Sequence, residues 1–153
     1  EFRKLSGIPS TMRAVRAFGP GDYRIDDHMP VPMPADGEYL LQVRGVGVCA
    51  SDVKMFAGGD FFWGPGGRVK KRPVVPGHEF AGLIVASGAN TEHAPGTRVA
   101  VEQLVACSKC WFCNNGQSNK CDSLTIYGQG IDGAFAEYML VSKGTLMYKI
   151  PDK

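Results

Sequence analysis

A chain of 153 residues is long enough for one domain that buries roughly two thirds of its unfolded surface, so it can fold without disulfide staples. It is 44% hydrophobic and 21% charged with a formal net charge of +2, which excludes a disordered chain, an acidic tail and a basic patch of nucleic-acid size. Its apolar runs are short and broken by Gly or Arg, so no membrane-spanning segment and no membrane or nucleic-acid partner is expected.

The opening EFRKLSGIPSTM lacks the apolar stretch of a secretory signal, and a cytoplasmic location is the expectation. A cleaner pattern starts at Met12. Residues 1–11 are therefore set apart as a native extension or an expression remnant, and residues 12–153 as the domain. Strands are predicted over 12–18, 23–27, 38–48, 80–88, 97–103, 134–141 and 146–150, each rich in Val, Ile, Tyr, Phe or Leu. Glycine and proline cluster between them, as in VPMPADGE (31–38) and SGANTEHAPG (87–96). This spacing predicts a mainly β protein, a partly open antiparallel barrel with a few short helices. One helix is expected over 51–58 with Ser51 as its N-cap, and a shorter one within 110–121. The long loop from Gly58 to Arg72 carries Phe61, Phe62, Trp63 and four basic residues. It is either a surface lobe covering its own aromatics or the wall of a cleft or interface.

Five cysteines without a secretion signal point to thiolates that bind metal or do chemistry. Cys107, Cys110, Cys113 and Cys121 follow C-x2-C-x2-C-x7-C, which suits a closed tetrahedral structural zinc site. A ferredoxin-type cluster would need the fourth cysteine after three residues with Pro behind it, whereas Asp122 follows here. Redox disulfides and inert buried thiols are the remaining alternatives. Cys49 in VGVCASDVK and the pair His78–Glu79 in VVPGHEFAG supply the sulfur, nitrogen and carboxylate of a catalytic zinc with one open position. Taken singly, each of these is a weak signal: a lone cysteine is usually packing.

Order adds information. CASD, GHEFAG, the four-cysteine loop, AFAEY and the closing YKIPD together resemble the N-terminal catalytic domain of zinc-dependent medium-chain alcohol and polyol dehydrogenases, in the threitol, erythritol and sorbitol branch. That domain is similar in fold to the GroES co-chaperonin. The resemblance implies Cys49 and His78 as catalytic-zinc ligands and Glu79 beside the metal, as a ligand or in exchange with water. It gives Ser51 the task of passing on the alcohol proton and Asp52 that of orienting His78. Read without the resemblance, Ser51 is a helix cap and Asp52 a first-turn acid. Lys54 departs from the family, many members of which carry a His there. Met55, Phe61, Phe62, Trp63 and Tyr127 are candidate cleft walls, or ordinary core.

The implied reaction oxidises a small alcohol or polyol to an aldehyde or ketone, with hydride passing to NAD or NADP. The cofactor would sit on a separate doubly wound domain absent from this chain, so these residues are expected to be an inactive fragment of a homodimer or homotetramer. The alternative is a non-enzymatic, zinc-stabilised GroES-like binding or assembly module. Within YGQGIDGAFAEYML, Gly128, Gly130 and Gly133 satisfy G-x-G-x-x-G. A dinucleotide fingerprint must close a strand and open a helix, yet AFAEYMLV has strand composition. GVGVCA (45–50) nearly matches too. The motif is therefore read as a turn leading back into the barrel, and no cofactor-binding residue is expected in this chain.

Overall fold

A computed structural model describes residues 2–151; Glu1, Asp152 and Lys153, the outer ends of the two expected segments, lie outside the described residues. The strands are β1 (Arg3–Lys4), β2 (Thr11–Gly19), β3 (Asp22–Pro30), β4 (Tyr39–Gly47), β5 (Glu79–Ser87), β6 (Arg98–Val101), β7 (Leu104–Val105), β8 (Thr125–Ile126), β9 (Tyr138–Val141) and β10 (Met147–Lys149). Between them lie the short helices α1 (Ala50–Phe56), α2 (Asp60–Trp63) and α3 (Trp111–Asn114), with a 3-10 turn at Ser118–Lys120.

The main sheet runs β10-β6-β5-β4-β9, all antiparallel. β4 covers one edge of β5 from Glu79 to Ser87, while the opposite edge is shared by β6 at Phe80–Leu83 and β1 at Ala86–Ser87. Residues 3 and 4 thus belong to the sheet, and the Arg3 guanidinium also donates to Thr91 Oγ1 at 3.0 Å. Pleating sends neighbouring side chains to opposite faces. Tyr39 and Leu41 enter one core with Phe80, Ile84, Val99 and Tyr127, and Leu40 enters a second with Met12, Val85 and Tyr138. A sheet buried on both faces explains the near-continuous apolar runs of β4 and β5.

The β2-β3 hairpin forms its own two-stranded sheet and joins the rest through residues 134–137 and through Val74. Val15 N–H donates to the Phe135 carbonyl at 2.8 Å and Glu137 N–H to the Arg13 carbonyl at 3.1 Å. Bridges of this kind leave the barrel partly open, and among the described residues no ring of strands closes.

All seven predicted strands form: β2 and β3 run beyond their predicted ends, β5 is shifted by one residue, and the others are trimmed. The span predicted over 134–141 is regular only from Tyr138, because the N–H groups of Ala134 and Phe135 bond the Gly77 and Pro76 carbonyls instead of a ladder. Sequence reading missed the two-residue strands β1, β7 and β8, which are too short to carry an alternating pattern. The N-cap of α1 is Cys49, not Ser51, because the Asp52 carboxylate accepts the Cys49 N–H at 2.9 Å and starts the helix one residue earlier. The helix expected within 110–121 is divided into α3 and the 3-10 turn.

Candidate metal centres

β4 and β5 bring the first constellation together. Gly47 ends β4 directly opposite Glu79, the first residue of β5, so the chain that leaves as Cys49 and the one that arrives as His78 are neighbours. Ligand atoms of Cys49, His78 and Glu79 all lie within 4.8 Å of one another. Glycine at 47 makes room for this: a Cβ there would stand 2.7 Å from Glu79 Oε2. His78 is buried and Glu79 exposed, which gives the cluster one closed and one open side.

The first turn of α1 supports the imidazole. Asp52, itself buried, places Oδ1 3.4 Å from His78 Nδ1 while its other oxygen caps Cys49. That distance is an ion-pair approach, not an aligned hydrogen bond. On the other side of the ring, Ser51 Oγ lies 3.2 Å from Nε2. Behind Asp52 the Tyr23 hydroxyl is buried without a hydrogen-bond partner, and burial, with a smaller contribution from the Asp52 charge, pushes it up to about 12.

A groove of about 630 Å3 opens beside Ser51, walled by Lys54, Gly58, Asp60, Phe61 and Phe62. Its far wall is the 58–72 segment, which folds onto its own aromatics. Phe62 and Val69 pack with Met55, Ala17 and Val74, the Trp63 Nε1–H donates to the Met55 carbonyl at 2.6 Å, and Arg72 stacks over Trp63 at 4.8 Å. Of the expected cleft walls, Phe61 and one edge of Phe62 reach the groove. Met55 is core, Trp63 packs against that core, and Tyr127 lies in the barrel interior, its hydroxyl accepting the Ser142 N–H at 2.7 Å.

The second constellation is local. Cys107, Cys110, Cys113 and Cys121 converge with ligand atoms within 4.8 Å of one another, between β7 and β8. Cys110 Sγ and Cys113 Sγ are 3.5 Å apart, and all four cysteines are free thiols. The backbone N–H groups of Lys109 and Cys110 draw the Cys107 thiol down to about 6, whereas desolvation pushes Cys113 up to about 12. Four sulfurs suit closed tetrahedral zinc; a sulfur, an imidazole and a carboxylate suit a zinc with an open position. Both donor sets fit that metal.

GQGIDG opens no helix. Gly128 and Gly133 lie against the backbone of Gly77, which precedes His78: a Cβ on Gly128 would stand 2.7 Å from Gly77 N, and one on Gly133 would strike the Gly77 carbonyl. The glycine spacing was visible in the sequence, but its partner, more than 50 residues earlier, was not.

The described residues thus form a mainly β domain with a Cys–His–Glu cluster at one strand pair and a separate four-cysteine lobe. Residues 35–152 match the alcohol dehydrogenase GroES-like domain, and the chain belongs to that family. It is 39% identical to the erythritol/L-threitol dehydrogenase of Mycolicibacterium smegmatis, over 95% of this chain and 42% of that protein. Among solved structures it is similar to the rspB alcohol dehydrogenase of Escherichia coli CFT073 in complex with NADH, with a TM-score of 0.80, 34% identity and coverage of 94% of this chain and 40% of the other. The cobalt- and zinc-bound thermostable alcohol dehydrogenase of Pyrobaculum aerophilum matches with a TM-score of 0.74 and 30% identity, over 85% of this chain and 38% of that one. The chain thus spans less than half the length of these relatives. Among the described residues no helix is long and apolar enough to cross a membrane.

Proposed function

We propose that this chain is the catalytic domain of a zinc-dependent dehydrogenase that oxidises a small alcohol or polyol to a ketone or aldehyde, passing hydride to NAD or NADP. The observation that carries the reading is the meeting of Cys49, His78 and Glu79 within 4.8 Å, with the Ser51 hydroxyl on the same imidazole and a groove alongside. The nicotinamide would be bound outside residues 12–153, in a larger homodimeric or homotetrameric protein, with the cytoplasm as working location. Residues 1–11 are read as an extension of this domain.

Cys49, His78 and Glu79 would hold the catalytic zinc, and Cys107, Cys110, Cys113 and Cys121 the structural one. Zinc in the first site supplies Lewis acidity toward an alcohol oxygen. Asp52 Oδ1 stands 3.4 Å from Nδ1, on the side where carboxylate partners of metal-bound histidines sit, which leaves Nε2 as the ligating nitrogen. Ser51 would relay the substrate hydroxyl's proton, taking it as its own hydroxyl proton passes to water in the groove, because its Oγ borders both the imidazole and the groove. Lys54, one helical turn further, lines the same groove, as does Phe61.

Metal counting on the full-length protein tests the reading. Two zincs per chain are expected, falling to one with loss of turnover in Cys49→Ala and in His78→Ala. One zinc in the parent protein, with Cys49 open to thiol reagents, would instead support a zinc-stabilised binding module.

A further inference from the structure

The mechanism above uses His78 but does not explain what fixes its backbone. Residues 73–78 form no regular strand beyond a single bridge at Val74, yet Val74 to His78 are all buried. One side of this strap is held by β2, where Ala17 and Val74 exchange N–H to carbonyl bonds at 2.8 and 3.1 Å. The other side is held by the segment that follows the glycine motif. Gly133 N–H donates to the Val75 carbonyl at 2.7 Å, Phe135 N–H to the Pro76 carbonyl at 2.9 Å and Ala134 N–H to the Gly77 carbonyl at 3.0 Å. A side chain joins this backbone set: Asp132 Oδ1 accepts the Val75 N–H at 2.9 Å.

We infer that Asp132 is a positioning residue for His78, fixing through Val75 the strap that presents the imidazole to Cys49 and Glu79. With the Val75 N–H bonded at Asp132 and its carbonyl bonded at Gly133, both polar groups of one buried peptide segment are committed to the same short loop. Gly77, at φ +91°, then turns against Gly128 and Gly133, and His78 follows directly. Removing the carboxylate leaves the Val75 N–H buried and unpaired and frees the strap to shift. The second carboxylate oxygen lies 3.6 Å from Lys71 Nζ, whose side chain is 71% exposed, so this ion pair contributes little. The important feature is therefore the acceptor atom and not the charge.

This inference rests on the proposed catalytic zinc, and the experiment keeps the two apart. In the full-length protein, total zinc is measured by mass spectrometry and the labile zinc by competition with a chromogenic chelator. Asp132→Ala is expected to hold the labile zinc about tenfold more weakly, in the range typical of lost support behind a metal ligand, with the cysteine-lobe zinc retained. Asp132→Asn, which keeps an oxygen at the same place, and Lys71→Met are both expected to match the parent protein. The inference is overturned if Asp132→Ala loses both zincs together or neither, or if Asp132→Asn behaves like Asp132→Ala. Should Asp132→Ala fail to fold, Asp132→Glu, which displaces the oxygen by one methylene, is read the same way. His78→Ala is the control: retention of both zincs there defeats the catalytic-zinc reading whatever the Asp132 variants do.

Discussion

Asp52 uses its two oxygens on two different neighbours, one on the helix cap and one on the imidazole. Asparagine can keep the cap but not the charge. Asp52→Asn is therefore expected to weaken labile zinc about tenfold with little change in melting temperature. Asp52→Ala should add a stability loss of about 1 kcal/mol from the lost cap, measurable by thermal denaturation. Gly47→Ala separates another pair of effects, because the only close neighbour of the new methyl is the far end of the Glu79 side chain. Folding should survive while the Glu79 carboxylate is displaced, which metal competition on the full-length protein would register. The candidate ligand residues could be picked out because each stands in a short, unusual string: CASD, GHEF and the spaced cysteines. The cap was not, since cysteine is a poor capping type and the decisive contact is made by a residue three places later.

The cysteine lobe and the glycine loop differ in what holds them. In the lobe α3 buries no residue and Cys121 is the one cysteine classed as buried, so the segment has almost no apolar core of its own. Chelating the lobe's metal is expected to raise hydrogen exchange across residues 104–126 and to leave β4 and β5 protected. Its zinc affinity should fall as pH falls, because protons compete with the metal for four thiols. The glycine loop is held by backbone contact, and Gly133→Ala would drive a methyl into the Gly77 carbonyl. A loss of about 3 kcal/mol is expected, read from denaturant unfolding. Sequence inspection read GQGIDG as a turn back into the barrel, since strand composition and not a helix follows it. It could not supply the actual role, because close packing of Gly128 and Gly133 on Gly77 is a long-range contact that no local pattern announces.

Taken together, the strands carry two cores on a shared sheet. Leu41→Ala should cost about 2–5 kcal/mol, because Leu41 is fully buried beneath Phe80 and Ile84 in a sheet that cannot collapse toward either side. Deleting residues 1–5 uncovers the Ala86–Ser87 edge of β5 and removes the Arg3–Thr91 contact. A loss near 1 kcal/mol is expected, or about 3 °C in melting temperature. The mainly β class and the partly open barrel were legible from strand composition and Gly–Pro punctuation, whereas the pairing of β5 with both β6 and β1 depends on register, which composition does not encode. The strap and its glycine loop also impose an order in time. The four lobe cysteines lie within 15 residues of one another and can capture a metal as soon as that stretch leaves the ribosome. His78 acquires its aim only after Phe135 has been made and has folded back across more than 50 residues, a slow, non-local closure. During synthesis, then, the cysteine lobe is expected to be competent for metal before the Cys49–His78–Glu79 cluster is.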